Sequence, residues 1–241
     1  NAGRSWRDAG DGLPDDAIAA LLVSPAFAND ATLYLGTETK GLYRSTDGGA
    51  TWQLLYDDLA AEGVTCLAAI SDQQLLLGTG AGLYGSTDGG QSWTAINAGD
   101  WVITSLAVAP AGTVLAATLE NGIYRSTDGG QSWQAASTGL AAHVPPVALR
   151  VADQATLLLD GNGQLASANG QRAWTQLNPG ATPGALVAVA SALLEGMPTL
   201  FAATTGGLVR ATWQTGELEW LTGPASEQPF PLIVAAPAGT P

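Results

Sequence analysis

The sequence predicts an all-β fold: a β-propeller of four-stranded antiparallel blades, five complete and a partial sixth shared by the termini. Two observations carry that expectation. The pattern Ser-Thr-Asp-Gly-Gly-x-(Ser/Thr)-Trp occurs three times, at Ser45–Trp52, Ser86–Trp93 and Ser126–Trp133. The tryptophans are 41 and 40 residues apart, and a fixed period of this size marks an array of supersecondary units.

The third unit shows what one repeat contains. Ile103 to Ala109 is a short apolar run closed by Pro110. Thr113 to Thr118 follows, then a turn at Glu120-Asn121-Gly122 and a third strand from Ile123 to Ser126. Thr127 to Gly130 turns the chain again, and Ser132 to Gln134 opens a fourth strand. Such short runs, rich in β-branched and aromatic residues and punctuated by Gly, Asn and Asp, read as strands and turns. Four antiparallel strands in about 40 residues make a propeller blade.

The Asp-Gly-Gly segment has a mechanical role. Its glycines supply positive φ in a tight hairpin, and the Asp side chain accepts backbone N–H bonds within its own turn. The Trp supplies a large apolar body for packing. Asp47, Asp88, Asp128, Trp52, Trp93 and Trp133 are therefore expected to be structural. These residues resemble the Asp-box, or BNR, repeat of sialidases, sortilin-type receptors, xyloglucanases and photosystem II assembly factors. The resemblance implies that the boxes lie on one face, remote from the ligand. Binding then falls to the opposite face, on loops between second and third strands and between blades.

Degenerate units extend the array. Ser167–Trp174 keeps the box length with Asn169 at the Asp position, and Ala211–Trp220 has lost the Asp. The start, Asn1–Trp6, fits the last six positions of a box. Residues 1–241 are thus expected to form a single propeller with blades ending near Trp52, Trp93, Trp133, Trp174 and Trp220. Asn1–Arg7 and Phe230–Pro237 contribute to the closing blade, whose middle hairpin is absent from the sequence.

Twenty-one acidic against eight basic residues give a net charge of −13. That balance disfavours nucleic acid and anionic membrane surfaces. No apolar run is long enough for a spanning helix, so direct membrane insertion is not expected. The single cysteine, Cys66, excludes an internal disulfide and sits where sister blades carry Ala20 and Ser105.

Register sorts the candidate site residues. Hairpin loops place Glu38, Lys40, Glu120, Asn121, Asp160 and Asn162 on the expected ligand face. Blade connections add Asp11, Asp15, Asp16, Tyr56, Asp57, Asp58, Glu62, Asp100, Trp101 and His143. From these, Trp101, Asp100, Asp57, Asp58, Tyr56, His143 and Glu120 form the candidate ligand-binding set. Trp101 is a blade-connection Trp without a repeat counterpart; it either anchors a partner or caps the core between blades.

Catalytic chemistry finds little support. Arg44, Arg125 and Arg210 share one repeat position, right after an aromatic residue or Val, so they are blade residues and no sialidase triad. Asp57, Asp58, Asp100 and Asp160 offer carboxylates for an inverting glycosidase, against the plainer reading of solvated loops. No cofactor or metal site is expected, since one His and one Cys cannot make a three-ligand set. The photosystem-type arginine patch has no counterpart, which points away from that subclass. The reading is a non-catalytic module that recognises a protein or glycan on its loop face. A glycoside hydrolase or its remnant, and a structural module of a larger surface or multidomain protein, are the alternatives. A secreted, periplasmic or cell-surface setting is favoured over the cytoplasm.

Overall fold

The computed structural model describes residues 10–56, 63–96, 101–109, 112–140, 146–152, 155–160, 165–168, 173–177, 186–194, 197–204, 207–214 and 217–222. The described strands form five antiparallel four-stranded sheets, each from consecutive strands. The first contains β1 (Ile18–Val23), β2 (Leu33–Thr37), β3 (Leu42–Ser45) and β4 (Gln53–Tyr56). The second contains β5 (Val64–Ala69), β6 (Leu75–Thr79), β7 (Leu83–Ser86) and β8 (Thr94–Ile96). The third contains β9 (Ile103–Val108), β10 (Val114–Thr118), β11 (Gly122–Ser126) and β12 (Gln134–Ala135). The fourth contains β13 (Pro146–Ala152), β14 (Ala155–Asp160), β15 (Leu165–Ala168) and β16 (Thr175–Leu177). The fifth contains β17 (Leu186–Leu194), β18 (Met197–Thr204), β19 (Gly207–Gln214) and β20 (Glu217–Thr222). One short helix not anticipated from the sequence, α1 (Phe27–Asp30), bridges β1 and β2. The chain divides into two compact units, Asn1–Leu106 and Ala107–Pro241, the division falling inside β9.

A bulge recurs at the same point of four sheets. The register shifts between Ile18 and Ala20, Val64 and Cys66, Pro146 and Ala148, and Leu186 and Ala188. An extra residue there bends the first strand and sharpens its twist.

Within Asn1–Leu106, two strand glycines set the approach of successive sheets. A Cβ on Gly36 would lie 2.7 Å from Val64 Cβ, and one on Gly78 would lie 2.6 Å from Ile103 Cγ2. Neither is a turn residue. They sit inside β2 and β6 because the first residue of the next sheet takes the space a side chain would fill. Val64 is 2% exposed and Ile103 0%. The equivalent first residue of β1, Ile18, is 59% exposed, and Leu21 is 58% exposed. The core here joins Tyr34, Leu42, Val64, Leu75, Leu77 and Trp93. A buried hydrogen bond adds to it, the Tyr34 hydroxyl donating to Gly89 O at 2.8 Å.

Within Ala107–Pro241, Ala117, Ile123, Leu149, Leu158 and Trp174 form the corresponding core. The fifth sheet departs from the pattern. β19 and β20 pair through to Gln214 and Glu217, at the place where the complete repeats carry an eight-residue box.

The glycine seats give a double-mutant test. Gly36→Ala should destabilise the fold by about 1–3 kcal/mol through overpacking. Combined with Val64→Ala, the loss should fall short of the sum of the single variants by about 0.5–3 kcal/mol, as for residues in contact. Urea denaturation of all four chains reads this; strict additivity would remove the contact from the account.

Candidate functional site

The three complete boxes share one hydrogen-bond network at the third-to-fourth strand end of each sheet. Ser45 ends β3 with its side chain turned inward, 1% exposed. Its hydroxyl donates to Asp47 Oδ1 at 2.7 Å and accepts from Gly49 N at 2.9 Å. Asp47 Oδ1 also accepts from Thr51 N at 2.9 Å, and Oδ2 accepts from the Thr51 hydroxyl at 2.6 Å. Ser86, Asp88, Gly90 and Ser92 repeat these bonds at 2.8, 2.8, 2.9 and 2.6 Å. Ser126, Asp128, Gly130 and Ser132 do so at 2.7, 2.8, 2.9 and 2.5 Å. Both glycines of each box have positive φ, 73° and 91° for Gly48 and Gly49, which L side chains rarely adopt. Trp93 and Trp133 close their boxes by donating Nε1–H to Gly90 O and Gly130 O, each at 3.0 Å.

These bonds hold all three carboxylates in the charged form. The neighbouring hydroxyl of Thr51 and its backbone N–H hold Asp47 well below the usual carboxylate range, and Ser132 does the same for Asp128. The Ser92 hydroxyl and N–H pull Asp88 from 3.8 to about 2. Box carboxylates this fully engaged with their own turns have little left for a ligand.

The opposite end of each sheet is built around a buried threonine. Thr37, Thr79 and Thr118 end the second strands and are all 0% exposed. Their hydroxyls donate to Gly41 O, Gly82 O and Gly122 O at 3.0, 3.1 and 2.8 Å. The same oxygens accept from Lys40 N, Ala81 N and Asn121 N at 3.0, 3.1 and 3.0 Å. This clamp fixes each turn from inside and leaves Glu38, Lys40, Glu120 and Asn121 exposed around it. Sequence reasoning passed over these threonines, although their spacing of 42 and 39 residues follows the repeat. Asp160 stands in their register: it faces Pro146 as Thr37 faces Ile18. It is thus the last residue of β14 and not a loop carboxylate.

The connection before β1 runs between the two ends. Asp11 bridges Thr51, with Asp11 N donating to Ala50 O at 3.3 Å and Trp52 N to Asp11 O at 2.9 Å. Asp11 therefore lies beside a box, not on the turn end where its register in the sequence placed it. Five residues on, Asp16 Oδ2 accepts from Thr39 N at 2.7 Å, and that bond lowers its pKa. In the second unit the same contact recurs, Trp174 N donating to Thr138 O at 2.8 Å. Gly12 and Gly139, at φ of 91° and 92°, pass against the carbonyls of Trp52 and Trp174, where no side chain fits. The signal was available: each glycine is six residues after a box Trp, as are Gly99 and Gly180.

Of the candidate binding set, Glu120 is exposed beside Asn121 on the third turn. Tyr56 is the last residue of β4, opposite Leu42. Trp101 is 8% exposed, so its ring is packed and does not offer the open aromatic surface weighed for it. Asp57, Asp58, Asp100 and His143 lie outside the described residues, as do Glu62 and Asn162. Arg44 lies 5.8 Å from the Tyr34 ring centroid and Arg125 donates to Thr113 Oγ1 at 3.5 Å, so both serve their own sheets. Cys66 is half-buried, its sulfur accepting from the Thr65 hydroxyl at 3.7 Å. Among the described residues, no group of three His, Cys, Asp or Glu stands together to hold a metal. No helix among them is long and apolar enough to cross a membrane.

Repeated four-stranded sheets closed by Asp boxes define an all-β Asp-box repeat protein. The family described as photosynthesis system II assembly factor YCF48 matches residues 13–190, and the chain belongs to it. This corrects the inference drawn from the missing arginine patch, since the repeat framework and not a patch carries membership. No curated protein sequence matches. Among solved structures, YCF48 from Cyanidioschyzon merolae superposes with a TM-score of 0.65 at 17% identity, covering 86% of this chain and 72% of that one. YCF48 bound to D1 peptide gives 0.66 at 15%, covering 91% and 72%. An ancestral GH74 enzyme gives 0.68 at 18%, covering 88% of this chain, which spans only 31% of that enzyme. At these identities the structural likenesses establish a shared fold.

The box bonds predict an acid response. A carboxyl whose folded pKa lies below its unfolded value stabilises the fold above the unfolded value and loses that contribution as pH falls toward the folded one. Melting temperature should therefore drop between about pH 4 and pH 2, where Asp88 titrates. In Asp88→Asn the fold should be less stable at pH 7 and the acid slope shallower. An unchanged slope would detach the boxes from acid stability.

Proposed function

We propose that this chain is a non-catalytic module that binds a protein segment on the turn end of its sheets. Three findings support the reading: membership of the YCF48 family, a relative whose structure is described as bound to D1 peptide, and the split between the two sheet ends. The last carries it. Box carboxylates, exposed as Asp47 and Asp128 are, bond within their own turns, whereas the exposed Glu38, Glu120 and Asp15 belong to no box network. With a net charge of −13 the fitting partner is a cationic or polar peptide segment. A secreted, periplasmic or cell-surface setting is part of this proposal.

A glycan ligand is the second reading, favoured only by the fold shared with GH74 enzymes. A glycan array run beside pull-down from the native host separates the two. In a peptide complex, Glu38→Gln/Glu120→Gln should mainly flatten the salt dependence of binding, as rim charges do. Asp128→Asn, tested below its melting temperature, should bind as the parent does. Loss of binding in the box variant with unchanged salt dependence in the turn variant would place the ligand on the other end.

We also propose the six-position ring expected from the sequence, with residues 230–237 supplying an inner strand against β1. The open flank of β1 supports it: Ile18 is 59% exposed where Val64 and Ile103 are covered. The segment 223–241 lies outside the described residues. In a Cys66→Ser background, Leu21→Cys and Ile233→Cys should form an intramolecular disulfide on oxidation. A chain that oxidises only between molecules would refute closure by this segment.

A further inference from the structure

We propose that Asn121 is a site of spontaneous deamidation, giving aspartate and isoaspartate within the β10–β11 turn. The chemistry needs an asparagine followed by glycine, since a side chain on the next residue hinders attack. The Gly122 backbone nitrogen attacks Asn121 Cγ, a C–N bond forms and ammonia leaves. Water then opens the resulting succinimide at either carbonyl. Opening at Cγ gives aspartate; opening at the main-chain carbonyl reroutes the chain through the side chain as isoaspartate.

The structure exposes the Asn121 side chain and engages the Asp-Gly pairs of the three boxes. Asn121 is exposed, and Asn121–Gly122 is the one Asn-Gly pair among the described residues. Gly122 has φ 79°, so the turn depends on glycine at that point. The Asp-Gly pairs of the boxes form the same succinimide in an open peptide. In Asp47, Asp88 and Asp128, however, both carboxylate oxygens are held by hydroxyl and N–H donors of the following residues. Those bonds fix Cγ in its turn and keep the carboxylate ionised, which makes its oxygen a poor leaving group. Among the described residues the Asn121 amide has no such harness; its backbone N–H donates to Thr118 Oγ1 at 3.0 Å.

The product alters the turn end. Either isomer adds one negative charge next to Glu120. The isoaspartate form also inserts a methylene between two anchor points of the Thr118 clamp, Asn121 N and Gly122 O. Thr118 is fully buried, so the strain falls on the turn.

The test ages the full chain at mildly alkaline pH and physiological temperature. Peptide mapping and methyl transfer by an isoaspartyl methyltransferase are followed in time. The expected result is isoaspartate and aspartate accumulating at 121, a more acidic species on ion exchange, and no isomerisation at 47, 88 or 128. Asn121→Gln should remove that mapped signal and leave the melting temperature of the fresh protein unchanged. Mapping reads Asn162-Gly163 and Asn169-Gly170, which lie outside the described residues, separately. Asn121 remaining intact while the denatured chain converts there would overturn the proposal. So would isomerisation of the box aspartates at the rate of Asn121.

Discussion

A sheet of four strands, each three to six residues long, cannot bury both of its own faces. Every sheet in the first unit depends on how closely the next one can approach. Gly36 and Gly78 set that distance: Val64 and Ile103 occupy the volume that a Cβ would take. The contact gives little, because it is made by β-branched side chains on stiff strands. The buried bond from Tyr34 to Gly89 O then fixes the angle, by tying the second strand of one sheet to the box of the next.

That arrangement divides labour between the two ends of a sheet. At one end the box spends serine, aspartate and hydroxyl groups on one another and on the backbone. At the other, one buried threonine holds the turn with two bonds, and its neighbours stay free to vary. Glu38-Thr39-Lys40, Gly80-Ala81 and Leu119-Glu120-Asn121 share no chemistry yet are held by the same clamp. A frame that fixes loops without constraining their side chains suits recognition.

The period, the four-strand repeat and the box turns were legible in the sequence, because they rest on short-range rules: glycine at positive φ, aspartate binding its own turn, apolar runs between. The contacts between sheets were not. Gly36 and Gly78 look like ordinary strand glycines until the neighbouring strand is in place. The threonine clamp was hidden because threonine is a common strand residue. Asp11 was misplaced because register gives the order of segments along the chain. It does not say that a connection first runs beside the next box and only then crosses. Trp101 stood out as a Trp without a repeat counterpart, yet its burial shows that a departure from the repeat also arises where packing needs a large ring.

The residues at the seats change along the chain. The positions equivalent to Gly36 and Gly78 are Ala117, Leu159 and Ala203, each next to the residue in the threonine register. The first residues that follow them in the next sheets are Pro146 after Ala117 and Leu186 after Leu159. A glycine before a β-branched residue therefore gives way to alanine before proline and to leucine before leucine. Over the same stretch the threonine register takes Asp160, and the box is lost between Gln214 and Glu217. The fifth sheet compensates with strands of six to nine residues, against two to six in the first three sheets. Longer ladders supply, within one sheet, cohesion that the earlier repeats draw from their neighbours and their boxes. Loss of the box and lengthening of the strands are on this view one change, since a hairpin that continues its ladder has no orphaned turn for an aspartate to hold.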